Sequence, residues 1–240
     1  MVSPSDSSAP VASDIDASAV NSAMWFESVV RHASKLPELR IIQRIHGFEL
    51  MQGRDVLLAS PTGSGKSLFM LSPVIAAQAR GEAGIAFLVV PTKALAVQHA
   101  ELVKKLGLRG LALTQETVRQ AAVDKHNLFA DLQQGYDVRV AVMSPQMLTQ
   151  SEGITALLKQ LRFRNLVRWM LIDEIHLFED STTVFYGPYQ DIAPMRDILP
   201  HTTVWAAASG TLTPSHISKK VPCLQLLQGD LRLPRGFRLP

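Results

Sequence analysis

Apolar residues along the chain recur with two different periods. Trp25, Phe26, Val29 and Val30 fall at helical spacing and predict a helix from Met24. After Pro37, the positions Leu39, Ile42, Ile45 and Leu50 predict a second helix that ends near Gly53. Downstream, short unbroken apolar runs alternate with longer stretches. Residues 56–59, 85–90, 111–113, 138–143, 169–172 and 203–208 read as strands. Helices are predicted between them at about 66–80, 93–106, 115–134 and 188–198, with short helices near 145–161. Strands that are apolar on both faces and alternate with helices imply an α/β fold with a mostly parallel central sheet.

The two ends differ from this middle. Residues 1–23 are rich in Ser, Ala, Asp and Pro with few large apolar groups, so a disordered tail is expected there. Residues 24–215 read as one folded lobe, and residues 216–240 as a basic, proline-containing tail without an assigned element.

Composition narrows the class. Apolar residues make up 47% of the 240 positions and charged residues 19%, enough for a core without disulfides or metal. No apolar run approaches the roughly 20 residues that cross a bilayer, so no membrane association is expected. The start has no basic n-region followed by an apolar stretch, which argues against a secretory signal. Cys223 is the single cysteine, read as a small buried side chain; an internal disulfide or cysteine zinc cluster is excluded, and a reducing intracellular setting is expected. Asp6, Asp14 and Asp16 stand in residues 1–23 with no Lys or Arg, so the net +3 of the chain becomes +6 for the remainder. That balance permits a nucleic-acid partner without establishing one.

Ser60-Pro61-Thr62-Gly63-Ser64-Gly65-Lys66-Ser67 follows a predicted strand and opens a predicted helix, the setting of a phosphate-binding loop. Gly63 and Gly65 let backbone N–H groups turn toward phosphates, and the helix N-terminus adds partial positive charge. Lys66 is suited to the β and γ phosphates and the Ser67 hydroxyl to Mg²⁺. Ser60 stands where the strict pattern has Gly. The alternative is a flexible Gly/Ser loop with an incidental lysine.

Asp173-Glu174-Ile175-His176 follows the strand at 169–172, where the carboxyl ends of parallel strands line a ligand crevice. Asp173 can hold Mg²⁺ through its water shell, and Glu174 can act as general base toward an attacking water. The plain alternative for Asp173 is a helix cap, and for His176 a structural histidine.

Taken together, these residues resemble the DExH-box helicases of superfamily 2, and among them RecQ-like DNA helicases. Further segments fit in order. Gln43 lies 23 residues before Lys66, as the adenine-reading glutamine does in that family, and Arg40 matches its paired arginine. Pro91-Thr92-Lys93 resembles motif Ia, Ser144 opens a segment like the family's Ser-Pro-Glu-Arg-Leu, and Ser209-Gly210-Thr211 resembles the Ser-Ala-Thr coupling motif. The resemblance implies a RecA-like, P-loop NTPase lobe that binds ATP and Mg²⁺ through Arg40, Gln43, Thr62, Gly63, Ser64, Gly65, Lys66, Ser67 and Asp173. It implies catalysis by Lys66, Asp173, Glu174 and His176, and coupling through Ser209 and Thr211. It also implies single-stranded DNA contacts at Pro91, Thr92, Lys93 and Ser144, and at Phe185 and Tyr189 in an aromatic loop, with RNA left open as a partner and a nuclear location. Aromatic rings stack on bases with about 1–3 kcal/mol each; the alternative is that Phe185 and Tyr189 are core.

The chain departs from the family at Leu36, where an aromatic stacks on adenine, at Ile175, where Ala is usual, and at Ser181 and Tyr186 in the aromatic loop. After Thr211 only 29 residues remain, too few for the second RecA-like lobe that supplies arginine fingers. The expectation is the ATP-binding lobe of a 3′-to-5′ DNA helicase that does not unwind alone, its second lobe supplied by a partner protein if at all. The alternatives are a degenerate paralogue that only binds ATP and DNA, and another P-loop enzyme such as a small-molecule kinase.

Overall fold

A computed structural model of the chain describes residues 21–134, 137–178, 191–211 and 231–232. Two helices lead in, α1 (Ala23–Ser34) and α2 (Ile41–Met51). The order then runs β1 (Val56–Ala59), α3 (Lys66–Ala79), β2 (Ile85–Val89), α4 (Lys93–Lys105), β3 (Gly110–Leu113), α5 (Gln115–Val123) and α6 (Leu128–Gln134). It continues with β4 (Val140–Met143), α7 (Pro145–Gln150), α8 (Glu152–Leu158), α9 (Leu161–Arg164) and β5 (Val167–Asp173). A 3₁₀ turn (Ile175–Phe178), α10 (Met195–Ile198), β6 (Val204–Ser209) and a two-residue strand β7 (Leu231–Arg232) complete it. The sheet order is β3-β4-β2-β5-β6-β1-β7, and each pairing is parallel.

The unbroken apolar strands have the predicted cause. Leu57, Phe87, Met170 and Trp205 point into a core covered by α6 to α10, while Leu58, Leu88, Leu171 and Ala206 point into a second core covered by α1 to α4. The result is the expected three-layer α/β architecture. Because all strands run the same way, the loops after β1 to β6 emerge on one edge of the sheet.

Helix α3 carries Pro73 in its interior, which removes the N–H that would bond the Phe69 carbonyl. The Ser72 hydroxyl donates to that carbonyl instead, at 2.7 Å. Gly47 lets α2 settle against the same spot, since a Cβ there would lie 2.4 Å from Ser72 Oγ.

The structure corrects several predicted boundaries. The single helix expected at 115–134 is two, because Lys125 adopts a left-handed φ of 55° and the Asn127 side chain accepts from Phe129 and Ala130 N–H to start α6. The strand expected at 169–172 runs Val167–Asp173, with Arg168 accommodated at its start by Glu82 and by stacking over Trp169 at 5.0 Å. The α-helix expected at 188–198 is confined among the described residues to Met195–Ile198, since Pro194 disfavours helical backbone at the residue before it. Of the tail expected at 1–23, residues 1–20 lie outside the described residues, while Ser22 caps α1 and Ala23 begins it. Ser181, Phe185, Tyr186, Tyr189 and Cys223 also lie outside the described residues.

Candidate functional site

The phosphate loop leaves β1 and turns into α3. Gly65 precedes the helix with φ 93° and Gly63 has φ 78°, left-handed values that favour glycine. Lys66 is buried, with its ammonium donating to the Ser60 carbonyl at 3.1 Å and the Pro61 carbonyl at 3.3 Å. An ammonium has three donors, so one remains for a phosphate oxygen.

Helix α2 braces this loop. The Arg40 guanidinium donates to the Gly63 carbonyl. The Gln43 amide oxygen accepts from Arg40 N–H at 2.9 Å, and its NH₂ donates to the Gly65 carbonyl at 3.3 Å. Gln43 is only 3% exposed; by donor inventory it keeps one N–H and one lone pair. A Cβ on Gly65 would lie 2.2 Å from Gln43 Nε2. Gly65→Ala therefore strains the backbone and pushes Gln43 out of both bonds. The expected loss is about 1–3 kcal/mol for a non-glycine residue held at such a φ. In a domain of this size that lowers Tm by roughly 2–4 °C per kcal/mol, readable in a thermal melt.

Asp173 ends β5 and is buried; its Oδ1 accepts from Glu174 N–H at 2.9 Å, and its Oδ2 lies 3.6 Å from His99 Nε2. Glu174 has a left-handed φ of 50°, an uncommon conformation for its residue type. Beyond it the chain leaves β5 for the 3₁₀ turn Ile175–Phe178. Glu174 Oε2 lies 3.1 Å from His176 Nδ1 and accepts from Ser209 Oγ at 3.4 Å, while His176 Nδ1 is 2.8 Å from Ser209 Oγ. Thr211 N–H donates to Ser209 Oγ at 3.2 Å, and Ser60 N–H donates to the Ser209 carbonyl at 2.9 Å. The acidic turn, the Ser-Gly-Thr segment and the phosphate loop thus form one connected cluster, as the adjacency of β5, β6 and β1 requires.

Thr62, Gly63, Gly65, Lys66, Ser67, Asp173 and Glu174 line one cleft of about 680 Å³, whose other wall is α4. The Ser67 hydroxyl and the Asp173 carboxylate are hard oxygen donors, which suit Mg²⁺ arriving on phosphate oxygens with part of its water shell. From α4, Gln98, His99, Glu101 and Lys105 also face the cleft, and sequence reasoning missed them. A signal existed for His99: it is the one polar member of the buried stripe Ala96, His99, Ala100 and Val103.

A second groove of about 820 Å³ lies along the same sheet edge, over β2, β3 and β4. Pro91, Thr92, Lys93 and Ser144 line it, joined by Gln146 of the segment that Ser144 opens and by Thr114 and Gln115, which the sequence did not single out. Thr92 caps α4, Thr114 caps α5 and Ser144 caps α7, each accepting a backbone N–H at 3.1–3.2 Å. Three helix N-termini therefore bring partial positive charge to one groove. Lys93 bonds Glu116 at 2.6 Å, and that hydrogen bond holds the Glu116 carboxyl below its ordinary value.

Comparisons place the chain among known proteins. Residues 40–219 match the family model described as DEAD/DEAH box helicase. The chain is 27% identical over 148 residues to the ATP-dependent DNA helicase hus2/rqh1 of Schizosaccharomyces pombe, covering 61% of this chain and 11% of that protein. It is 29% identical over 144 residues to the probable ATP-dependent RNA helicase DDX52 of Mus musculus, covering 57% of this chain and 22% of that protein. The chain thus spans only a fraction of these relatives' length. Among solved structures, a DEAD box protein from Methanococcus jannaschii superposes with a TM-score of 0.61 at 16% identity, over 86% of this chain and 52% of the other.

Proposed function

The chain belongs to the DEAD/DEAH box helicase family, and on that premise we propose that it is the ATP-binding lobe of a RecQ-like DNA helicase moving 3′ to 5′ on single-stranded DNA. The observation that carries this reading is the convergence of Lys66, Ser67, Asp173 and Glu174 on one cleft, with Ser209 and His176 seated on the Glu174 carboxylate. Lys66 would hold the β and γ phosphates with its remaining donor. Arg40 and Gln43 would fix the loop, and Gln43 would present its spare N–H and lone pair to adenine. Asp173 and Ser67 would hold Mg²⁺, which when bound neutralises charge on the phosphates. Glu174 would take the proton from the attacking water. A change in that carboxylate reaches Ser209 and Thr211 directly, which is the physical route from ATP state to nucleic acid.

The groove over β2 to β4 would carry the strand. Its helix N-termini and Lys93 suit a phosphate backbone. The aromatic loop residues Phe185 and Tyr189 would add stacking. The arginine beside the loop, Arg40, is engaged with the Gly63 carbonyl. Arginine fingers are worth 10³–10⁵ in rate in related systems, so this polypeptide by itself is proposed to bind Mg-ATP, turn it over slowly and not unwind.

The test measures binding of a fluorescent ATP analogue, and ATP turnover with and without single-stranded DNA and single-stranded RNA. Binding with slow turnover raised by DNA supports the reading. Stimulation by RNA alone moves the chain toward its RNA helicase relatives, and turnover raised only by a small metabolite overturns it in favour of a different P-loop enzyme. In a salt titration of single-strand binding, Lys93→Ala weakens binding to every single strand alike. Losing one phosphate contact reduces the slope of log affinity against log salt by about 0.7.

A further inference from the structure

Among the described residues that line the groove over β2 to β4, Lys93 carries the charge, and the others present hydroxyl, amide or apolar groups. Its ammonium is already engaged. It donates to Glu116 Oε1 at 2.6 Å and lies 3.5 Å from Gln115 Oε1, both in the first turn of α5. The start of the helix after β2 is thus tied to the start of the helix after β3 by an ion pair.

The pair stands in solvent, with Lys93 53% and Glu116 65% exposed. Exposed pairs add little to stability, because side-chain entropy and screening cancel most of the attraction. The start of α5 also has its own cap, since Thr114 N–H donates to Thr117 Oγ1 at 2.9 Å and Thr117 N–H donates to Thr114 Oγ1 at 3.1 Å. What the pair decides is the charge that an arriving strand meets. The Lys93 hydrogen bond, the backbone N–H of Glu116 and the Thr114 hydroxyl all hold the Glu116 carboxyl below its ordinary value.

An ammonium has three donors, and two of those on Lys93 are turned toward α5. A phosphate oxygen on the third would lie within about 5.5 Å of the Glu116 carboxylate, since each anion sits less than about 3 Å from the same nitrogen. Two anions then share one cation and repel each other. In water's dielectric this repulsion weakens binding by about 3-fold at about 0.01 M salt and about 2-fold at about 0.15 M, where the Debye length has shortened from about 30 Å to about 8 Å.

We infer that Glu116 limits the affinity of the groove for single-stranded DNA by competing with the phosphate backbone for Lys93. This rests on the strand-groove reading above and adds to it a residue that opposes binding. A strand that is to move through the groove must be released as readily as it is held, and a carboxylate beside the groove's cation loosens the hold without removing it.

The experiment follows fluorescence anisotropy of a labelled oligothymidylate titrated with the full chain at low and at physiological salt. Glu116→Gln keeps the length of the side chain and removes the charge. Asp124→Asn removes one negative charge at the other end of α5, about 12 Å along the helix, and controls for net charge. The expected result is that Glu116→Gln tightens binding about 3-fold at about 0.01 M salt and about 2-fold at about 0.15 M, while Asp124→Asn stays near wild type at the higher salt. In the Lys93→Ala background the gain from Glu116→Gln shrinks, because the phosphate is no longer drawn within reach of the carboxylate. Thermal melts establish that each variant is folded; if the glutamine variant is not, Glu116→Ala removes the same charge and decides. Unchanged or weaker binding by Glu116→Gln overturns the inference. So does an equal gain in Asp124→Asn, or a full gain without Lys93. Failure of the strand-groove reading looks different: Lys93→Ala itself leaves affinity unchanged, and both ideas fall together.

Discussion

Lys66→Ala weakens binding of Mg-ATP by about 10- to 150-fold, the ratio that corresponds to about 1.5–3 kcal/mol for hydrogen bonds to a charged group. The Lys66 ammonium is anchored by two loop carbonyls, Ser60 and Pro61, so its position is set before any nucleotide arrives. Little side-chain entropy is left to lose when the third donor meets a phosphate. Alanine removes the one cation that the loop contributes to the cleft. Lys105 also lines the cleft but is carried by the last turn of α4, not by the loop. The backbone N–H groups at the start of α3 remain, which is why some binding survives. Titration of a fluorescent nucleotide checks this, with a thermal melt to confirm folding. Unchanged affinity would falsify the assignment of the phosphate loop.

Much of this arrangement was legible because it is written locally. Continuous apolar runs such as 85–89 can only be buried on two faces, which forces a parallel sheet between helices. Gly63 and Gly65 stand where left-handed backbone occurs, and Lys66 stands where a strand hands over to a helix. The features that escaped are those set by tertiary contacts or by polar residues doing structural duty. Arg168 hides the start of β5 because its charge is satisfied by Glu82, far away in sequence. The break between α5 and α6 has neither Gly nor Pro; Lys125 takes the left-handed turn and Asn127 restarts the helix. His99 was overlooked because its partner, Asp173, arrives from another strand. The left-handed φ of Glu174 left no mark on the sequence either, since Asp-Glu gives no hint of it.

That turn bears on the second large effect. Glu174→Gln lowers hydrolysis by about 10²-fold or more while nucleotide binding stays within about twofold of wild type, in keeping with the 10²–10⁴-fold that a positioned general base contributes. Glutamine keeps the length and one acceptor oxygen but loses the basic carboxylate. Glu174 is held from two sides, by Ser209 Oγ and by His176, and its backbone sits in a conformation that costs of order 1–3 kcal/mol unless its surroundings impose it. A residue so constrained at the mouth of the cleft is fixed in direction, which is what removing a proton from a single water demands. The substitution leaves Asp173 and Lys66 untouched, so Mg-ATP still binds. Because turnover by this polypeptide is expected to be slow, the measurement is single-turnover release of labelled phosphate with protein in excess. A rate in Glu174→Gln that falls to the uncatalysed background, with binding retained, assigns the base. A rate equal to wild type moves that role elsewhere and leaves Glu174 as a tie between the acidic turn and the Ser-Gly-Thr segment.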